Sequence, residues 1–535
     1  MIQQFTTVAE CLEHHAERTP DAVLIRHGEK VITYADAAER VQDLASSLLA
    51  YGVRRGDRIA VYANPDAEVL IVFLAASSIG AIFVGINPKQ TGSEITHVLS
   101  TAKPSHLFVM GTFDESHAEK LSRLQAPPPK VRVVLGSTRI PGAVPYDKYI
   151  GLNGVSHDVY ATARDAIETL DPVAMIFTSG STGKPKGALL TNGPMMLAYA
   201  VQGRHWYPDG EPPQGIADLP INHLGFIGDN CMAVFPAGGG VSILERWTPE
   251  GVLELIETNR ITWWWTQTTL LQLATQSPRW ENTDLSSLKM IGFAGAPVNN
   301  RMFERLQETG IPLATGYGMT EVHGNSTYTD MGADSEVIRG TVGRADPLFD
   351  VAVVSDNGTP NPHGIVGEIV IKGPGLCGGY WQADGTVTDV RDGDGWYHTK
   401  DLGVLRPDGN LELVGRKDQM FKSGGFNVYP REVESALEEH PEVKCAIVMS
   451  IPDEKWGHVG RAFVLRLADT LTEADLRAHM RIRVANYKVP KEFVLRDEFP
   501  MLASGKIDRR SLAESVPRQP IARPRSDSRS ASSAR

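Results

Sequence analysis

Apolar positions along this chain follow two rhythms that alternate. Short apolar runs, such as Arg58 to Tyr62, Leu107 to Val109 and Val173 to Phe177, read as buried strands. Between them lie stretches with apolar residues at helical spacing, among them Val8 to Glu17 and Tyr34 to Tyr51, the latter closed by Gly52. A hairpin of Ala22 to Ile25 and Val31 to Thr33 is expected to turn at Gly28-Glu29-Lys30. The alternation continues through Ile71 to Val84 and predicts an α/β domain with mixed, mostly parallel sheets. Further strands are expected at Ile216 to Pro220, Ile261 to Trp265 and Leu288 to Phe293. The second of these carries three consecutive tryptophans, which by default fill a core.

From Gly340 to Gly415 the pattern changes to short strands between Gly, Pro and Asp turns: Val351 to Val354, Glu368 to Ile371 and Leu411 to Val414. This predicts a small β subdomain. A smaller α+β unit follows, with helices Pro430 to Glu439 and Glu473 to Arg483 and strands Ala446 to Ser450 and Ala462 to Leu467. Residues 513 to 535, mainly Ser, Arg and Pro, are expected to be disordered.

Composition narrows the function classes. The 535 residues imply more than one domain, and 42% hydrophobic with 22% charged residues is an ordinary globular balance. A net charge of −11 without a basic stripe argues against a nucleic-acid surface. Cys11, Cys231, Cys377 and Cys445 have no metal spacing and read as reduced thiols. The N-terminus has no basic segment followed by an apolar one. Val69 to Val84, the best membrane candidate, is too short and too broken by Ser and Gly. A cytoplasmic location is expected, and assembly as a homodimer is left open.

The chemistry concentrates after Phe177, in Thr178-Ser179-Gly180-Ser181-Thr182-Gly183-Lys184-Pro185-Lys186-Gly187. Glycines let backbone approach a ligand closely, successive N–H groups cradle an anion, and the hydroxyls and lysines add donors and charge. This is a phosphate-handling loop. It is not a P-loop, because Gly180 and Gly183 are too close and Pro185 stands where Ser or Thr should follow Lys184.

The loop resembles the signature of the adenylate-forming superfamily: acyl-CoA synthetases, nonribosomal peptide adenylation domains and luciferases. Five further segments resemble that family in the same order. Ala294-Gly295-Ala296-Pro297 is similar to the turn that lies against adenine, with Ala294 replacing the usual glycine. Gly316-Tyr317-Gly318-Met319-Thr320-Glu321 matches the motif in which Tyr317 would face adenine, Thr320 the α-phosphate and Glu321 a Mg²⁺ ion. In Gly395 to Gly403 and Gly415-Arg416-Lys417-Asp418, the resemblance implies that Asp401 binds ribose, Arg416 ribose or phosphate, and Asp418 the hinge. Lys400 departs from the family, which carries glycine there. Lys506, within Gly505-Lys506-Ile507-Asp508-Arg509-Arg510, stands at the adenylation lysine's position.

The resemblance also implies that His223 gates an acyl pocket and that one of the three tryptophans faces substrate. Lys422, Gly424 and Gly425 would line the coenzyme A tunnel. It divides the chain into a large domain, 1–415, a hinge, 416–418, and a small mobile domain, 419–512, with no carrier domain expected after Lys506. The activity it implies is acyl-CoA synthesis from a small carboxylic acid, ATP-Mg²⁺ and coenzyme A through an acyl-adenylate.

Three alternatives stay open. One is a ligase specialised in thioesterification of supplied adenylate, suggested by Lys400. The second is a domain serving a separate carrier protein. Such domains carry an amine-holding Asp soon after the His223 position, where Gly225-Phe226 has none, though Asp229 is close by. The third is a non-catalytic binding protein on the same fold, which Lys506, Glu321 and Asp401 together argue against. Aryl, fatty, polycyclic and amino acids all remain candidate substrates.

Overall fold

The computed structural model describes residues 5–111, 115–136, 140–151, 154–178, 185–207, 211–295, 298–500 and 507–516. Its architecture is α/β with a large N-terminal part and a smaller C-terminal one. The run Val69 to Val84 resolves into a helix, Ala67–Ser77, and a strand, Ile82–Ile86. Every residue of the helix is buried, and all but Glu68 and Ser77 are apolar. Among the described residues no helix is long and apolar enough to cross a membrane.

The largest sheet has nine strands, in the order Val387–Thr388, Tyr380–Trp381, Lys186–Thr191, Pro172–Thr178, Ile82–Ile86, Arg58–Tyr62, His106–Met110, Val131–Leu135 and Val144–Pro145. Pairing from Pro172–Thr178 through Ile82–Ile86 to Val144–Pro145 is parallel. Pro172–Thr178 and Lys186–Thr191 form an antiparallel hairpin with Thr178 opposite Lys186. The phosphate loop therefore springs from the end of a sheet strand, with both stems fixed by ladder hydrogen bonds.

A second sheet runs Trp263–Gln267, Met290–Ala294, Leu313–Met319, Gly324–Tyr328 and Arg344–Ala345, the first three parallel. Its first strand starts two residues later than the apolar run suggests. Ile261 N–H instead closes the preceding helix on Ile256 O at 3.2 Å, after Arg260 turns with φ +51°. The period of two then sends Trp263 and Trp265 into the main core and Trp264 into a second one.

Strands Asp350–Val354, Gly367–Lys372, Tyr397–Leu405 and Leu411–Arg416 build the antiparallel subdomain. Sheet membership changes across the turn at 417–419. Beyond it, Phe421–Ser423 and Phe426–Val428 join Val443–Asp453, Gly457–Arg466 and Glu492–Arg496. Helix Arg509–Glu514 runs past residue 512, where disorder was expected to start, and Leu512 is buried against Ile447 and Phe463. Residues 517–535 lie outside the described residues.

Glu434 fixes this last helix. Its side chain is 2% exposed and accepts Val448 N–H at 2.9 Å and Arg509 Nη2 at 2.9 Å, with Arg431 at 3.6 Å. Losing one partner of a buried pair strands the others, at a cost of about 3–5 kcal/mol. Glu434→Ala is expected to lower the unfolding free energy of the C-terminal part, read from denaturant titration, by that order. Glu434→Gln, which keeps the shape and one acceptor, should lose less.

Candidate active site

The glycine motif lies in a strand. Gly316, Tyr317 and Gly318 lie within Leu313–Met319, paired with Gly324–Tyr328. A Cβ on Gly318 would sit 1.7 Å from Gly324 O, so only glycine allows this pairing. The strand runs into a 3-10 turn, Thr320–Val322, with Thr320 and Glu321 both buried. His323 ends the turn in the left-handed region, φ +59°.

His323 anchors that turn. Its Nδ1 lies 2.8 Å from Gly375 O, and its Nε2 accepts Thr191 N–H at 2.8 Å. Because Nε2 accepts, the proton resides on Nδ1 and the ring is neutral. Burial pushes the imidazole down to about 4. The ring ties together the stem of the phosphate hairpin, the Glu321 turn and the segment before Tyr380.

Glu321 Oε1 accepts two hydroxyls, from Thr178 at 3.2 Å and from Tyr380 at 2.8 Å. Lys186 Nζ stands 5.0 Å over the Tyr380 ring, and Tyr380 and Tyr397 hydroxyls are 3.5 Å apart. Burial first, then the Glu321 charge, raises the Tyr380 hydroxyl, so it stays a donor. Oε2 has no partner among the described residues, where no cluster of three metal-ligating side chains occurs either. One hard-oxygen carboxylate at the mouth of a phosphate loop fits Mg²⁺, which is held by few protein ligands plus phosphate and water.

Tyr397 opens the strand that carries Asp401. Asp401 Oδ2 accepts the Tyr317 hydroxyl at 2.7 Å, and Arg416 Nε is 3.4 Å from Oδ1. Arg416 also lies 3.5 Å from Asp418. Tyr317 is buried, and its hydroxyl is raised by burial and then by the Asp401 charge.

The other expected residues are placed as follows. Ala294 ends its strand, its carbonyl accepting Thr268 Oγ1 at 3.2 Å, and Gly295 is exposed with φ +92°. Gly424 and Gly425, φ +57° and +90°, make the two-residue hairpin turn after Lys422-Ser423. His223 precedes a π-helix, Phe226–Met232, and its Nδ1 accepts Gly225 N–H at 2.9 Å. Ser179, Gly180, Ser181, Thr182, Gly183, Ala296 and Lys506 lie outside the described residues.

Trp265 stacks on Trp206 at 4.5 Å, and Trp263 meets Tyr207 edge to face at 5.9 Å. Sequence reasoning assigned no role to Tyr380, Tyr397 or His323. The only signal was their adjacency to recognised motifs. It also left out Tyr199, whose hydroxyl donates to Asp229 Oδ1 at 3.2 Å.

Residues 12–381 match the family described as AMP-binding enzyme, and residues 432–506 match the AMP-binding enzyme C-terminal domain. A feruloyl-CoA synthase from Amycolatopsis sp is 34% identical over 92% of this chain and 95% of its own. An indoleacetate–CoA ligase from Aromatoleum aromaticum is 32% identical over 96% of this chain and 98% of its own. Among solved structures, an anthranilate CoA ligase in complex with anthranoyl-AMP has a TM-score of 0.85, covering 95% of this chain and 97% of that one. At 22% identity it speaks for the fold.

Two measurements probe this geometry. The folded protein resists protonating His323 down to about 4, while the unfolded chain takes that proton near 6.5. This stability is therefore complete above pH 6.5 and lost as pH falls toward 4, on the order of 3 kcal/mol. His323→Gln, which can still donate and accept, should flatten that part of the stability–pH curve. Separately, Lys400 is exposed with φ +63°, held by Lys400 N–H on Glu368 Oε1 at 3.2 Å and Lys417 N–H on Lys400 O at 2.8 Å. The left-handed region costs about 1–2 kcal/mol for a side-chain-bearing residue. Glycine's larger unfolded-state entropy offsets about 0.5–1 kcal/mol of it. Lys400→Gly should raise the thermal midpoint slightly; a clear fall would contradict the strain argument.

Proposed function

Because the chain belongs to the AMP-binding enzyme family, we propose that it is an ATP-dependent acid–CoA ligase acting on aryl-substituted carboxylic acids. The observation that carries the reading is the convergence of the loop stems, Glu321 and Tyr380 on one side and the Tyr317–Asp401 pair on the other. Ferulate and indoleacetate, the acids of the two relatives at 34% and 32% identity, support the aryl class.

In the first half-reaction a carboxylate oxygen bonds to the α-phosphorus of ATP as the bond to pyrophosphate breaks. In the second, coenzyme A sulfur bonds to the acyl carbon, the acyl–phosphate oxygen bond breaks and AMP leaves. Neither step asks the protein for covalent chemistry, so positioning and electrostatics carry the rate. The proposed roles follow chemical type. The loop 178–187 and Lys186 grip the phosphates, and Thr320 donates to the α-phosphate. Asp401 and Arg416 hold the ribose, while Ala294 to Ala296 and Tyr317 border the base. Mg²⁺ at Glu321 would neutralise phosphate charge. Tyr380 and Thr178 orient that carboxylate so that Oε2 stays available.

Lys506 serves the first half-reaction, and rotation about Asp418 brings the Gly424-Gly425 hairpin and Lys422 to coenzyme A for the second. His223 screens the acyl end from water. A cytoplasmic location accompanies the reading, because ATP and coenzyme A are the cosubstrates.

The test separates the half-reactions. Lys506→Ala should lower acid-dependent pyrophosphate exchange by about 10²–10³-fold. Thioester formation from pre-made acyl-adenylate should survive. Equal loss in both assays would remove Lys506 from the first step. Transfer to a carrier protein but not to coenzyme A would replace the ligase reading altogether.

A further inference from the structure

Pro185 closes the ladder of the phosphate hairpin. The last rung pairs Thr178 with Lys186, and Pro185 is the next residue outward. Proline brings no N–H to extend the ladder, while its carbonyl still needs a donor. That donor comes from outside the hairpin: His97 Nε2 lies 2.8 Å from Pro185 O. A carbonyl can only accept, so the proton sits on Nε2 and the ring donates. The same ring meets Phe177, on the opposite stem, edge to face at 5.9 Å. One histidine therefore touches both stems of the hairpin.

The helix that carries His97, Gly92–Ala102, is itself firmly placed. Thr91 and Glu94 close a capping box at its start. Ile95, Val98 and Leu99 are buried in a cluster that also holds Met175 of the hairpin's first strand. Lys120 Nζ donates to Pro88 O at 3.0 Å and to Gln90 O at 3.2 Å, which fixes the chain entering the helix. Downstream of the contact stands Lys186. The peptide unit joining it to Pro185 is planar, so holding Pro185 O also orients the Lys186 N–Cα bond. The Lys186 residue is exposed, and its Nζ stands 5.0 Å over Tyr380, whose hydroxyl donates to Glu321 at 2.8 Å. The far end of the same strand is held by His323 at Thr191. Imidazoles thus pin the strand Lys186–Thr191 at both ends.

Resting on the ligase reading, we propose that His97 is a positioning residue for the first half-reaction. Through Pro185 O it holds Lys186 where the ammonium meets the phosphates of ATP beyond the α-phosphate. His97 itself touches no reacting atom. AMP lacks those outer phosphates, so its binding does not draw on this contact.

The experiment measures dissociation constants for ATP-Mg²⁺ and for AMP by titration calorimetry, which needs no acid substrate. His97→Phe keeps the ring against Phe177 and loses the donor. It should weaken ATP about tenfold and AMP by less than about twofold, the scale of one hydrogen bond. His97→Ala should behave alike. His97→Gln, whose amide N–H can take the place of Nε2–H, should recover most of the ATP affinity. Lys186→Met should lose the same selectivity for ATP over AMP. Adding His97→Phe to it should cost little more, since the two residues act in series. A merely structural His97 would weaken ATP and AMP alike, which overturns the proposal. So would a His97→Phe protein with wild-type ATP affinity, or full additivity with Lys186→Met. Each of these leaves the ligase reading standing. A wild-type protein that binds neither nucleotide would remove both.

Discussion

One neutral imidazole holds the candidate site in register. His323 spans three segments that are far apart in sequence: it accepts from Thr191, donates to Gly375, and ends the turn that carries Glu321. Both ring nitrogens are used, so the ring can neither flip nor gain a proton without losing a bond. Thr191 terminates the second stem of the phosphate hairpin, and Gly375 precedes Tyr380, which donates to Glu321. The second stem of the hairpin, the metal-fitting carboxylate and its orienting hydroxyl therefore share a single anchoring side chain. A cationic histidine there would be a buried charge with no acceptor at Nε2, which is why burial holds it neutral.

The fold holds the Glu321 and Asp229 carboxylates differently. Glu321 is held by two hydroxyl donors on one oxygen, so its orientation is set before anything binds. Such preorganisation is what electrostatic stabilisation of phosphoryl chemistry requires. Asp229 receives one donor at 3.2 Å, within an irregular helix and among aromatic rings. The first arrangement suits a chemistry common to every acid.

Much of this was readable in the chain. The strands at Arg58–Tyr62 and Asp350–Val354, the helix at Pro430–Glu438 and the change of sheet after 416 follow from apolar period and turn residues. The motifs at Thr178, Gly316 and Asp401 were legible as strings, since backbone approach to a nucleotide demands glycines and hydroxyls at fixed spacing. What misled was local. Ile261 looked like strand and closes a helix instead, because a helix end must satisfy its carbonyls before the chain can extend. The tail looked featureless from 513, yet Leu512 found a buried place against Ile447 and Phe463 and drew the last helix past that point.

The sequence by itself determined the family motifs, with their glycines, hydroxyls and charged groups, because such motifs are confined to short runs of backbone. It determined the α/β class for the same reason, since periodicity is a local property. Tertiary structure alone decided what surrounds those motifs: that Tyr380 aims at Glu321, that Tyr317 donates to Asp401, that His323 locks three segments, and that Tyr199 donates to Asp229. Each of these contacts joins residues 30 to 132 positions apart. A hydrogen bond across such a span carries no periodic trace in the chain. It exists only because packing brings its two ends within 3.2 Å or less.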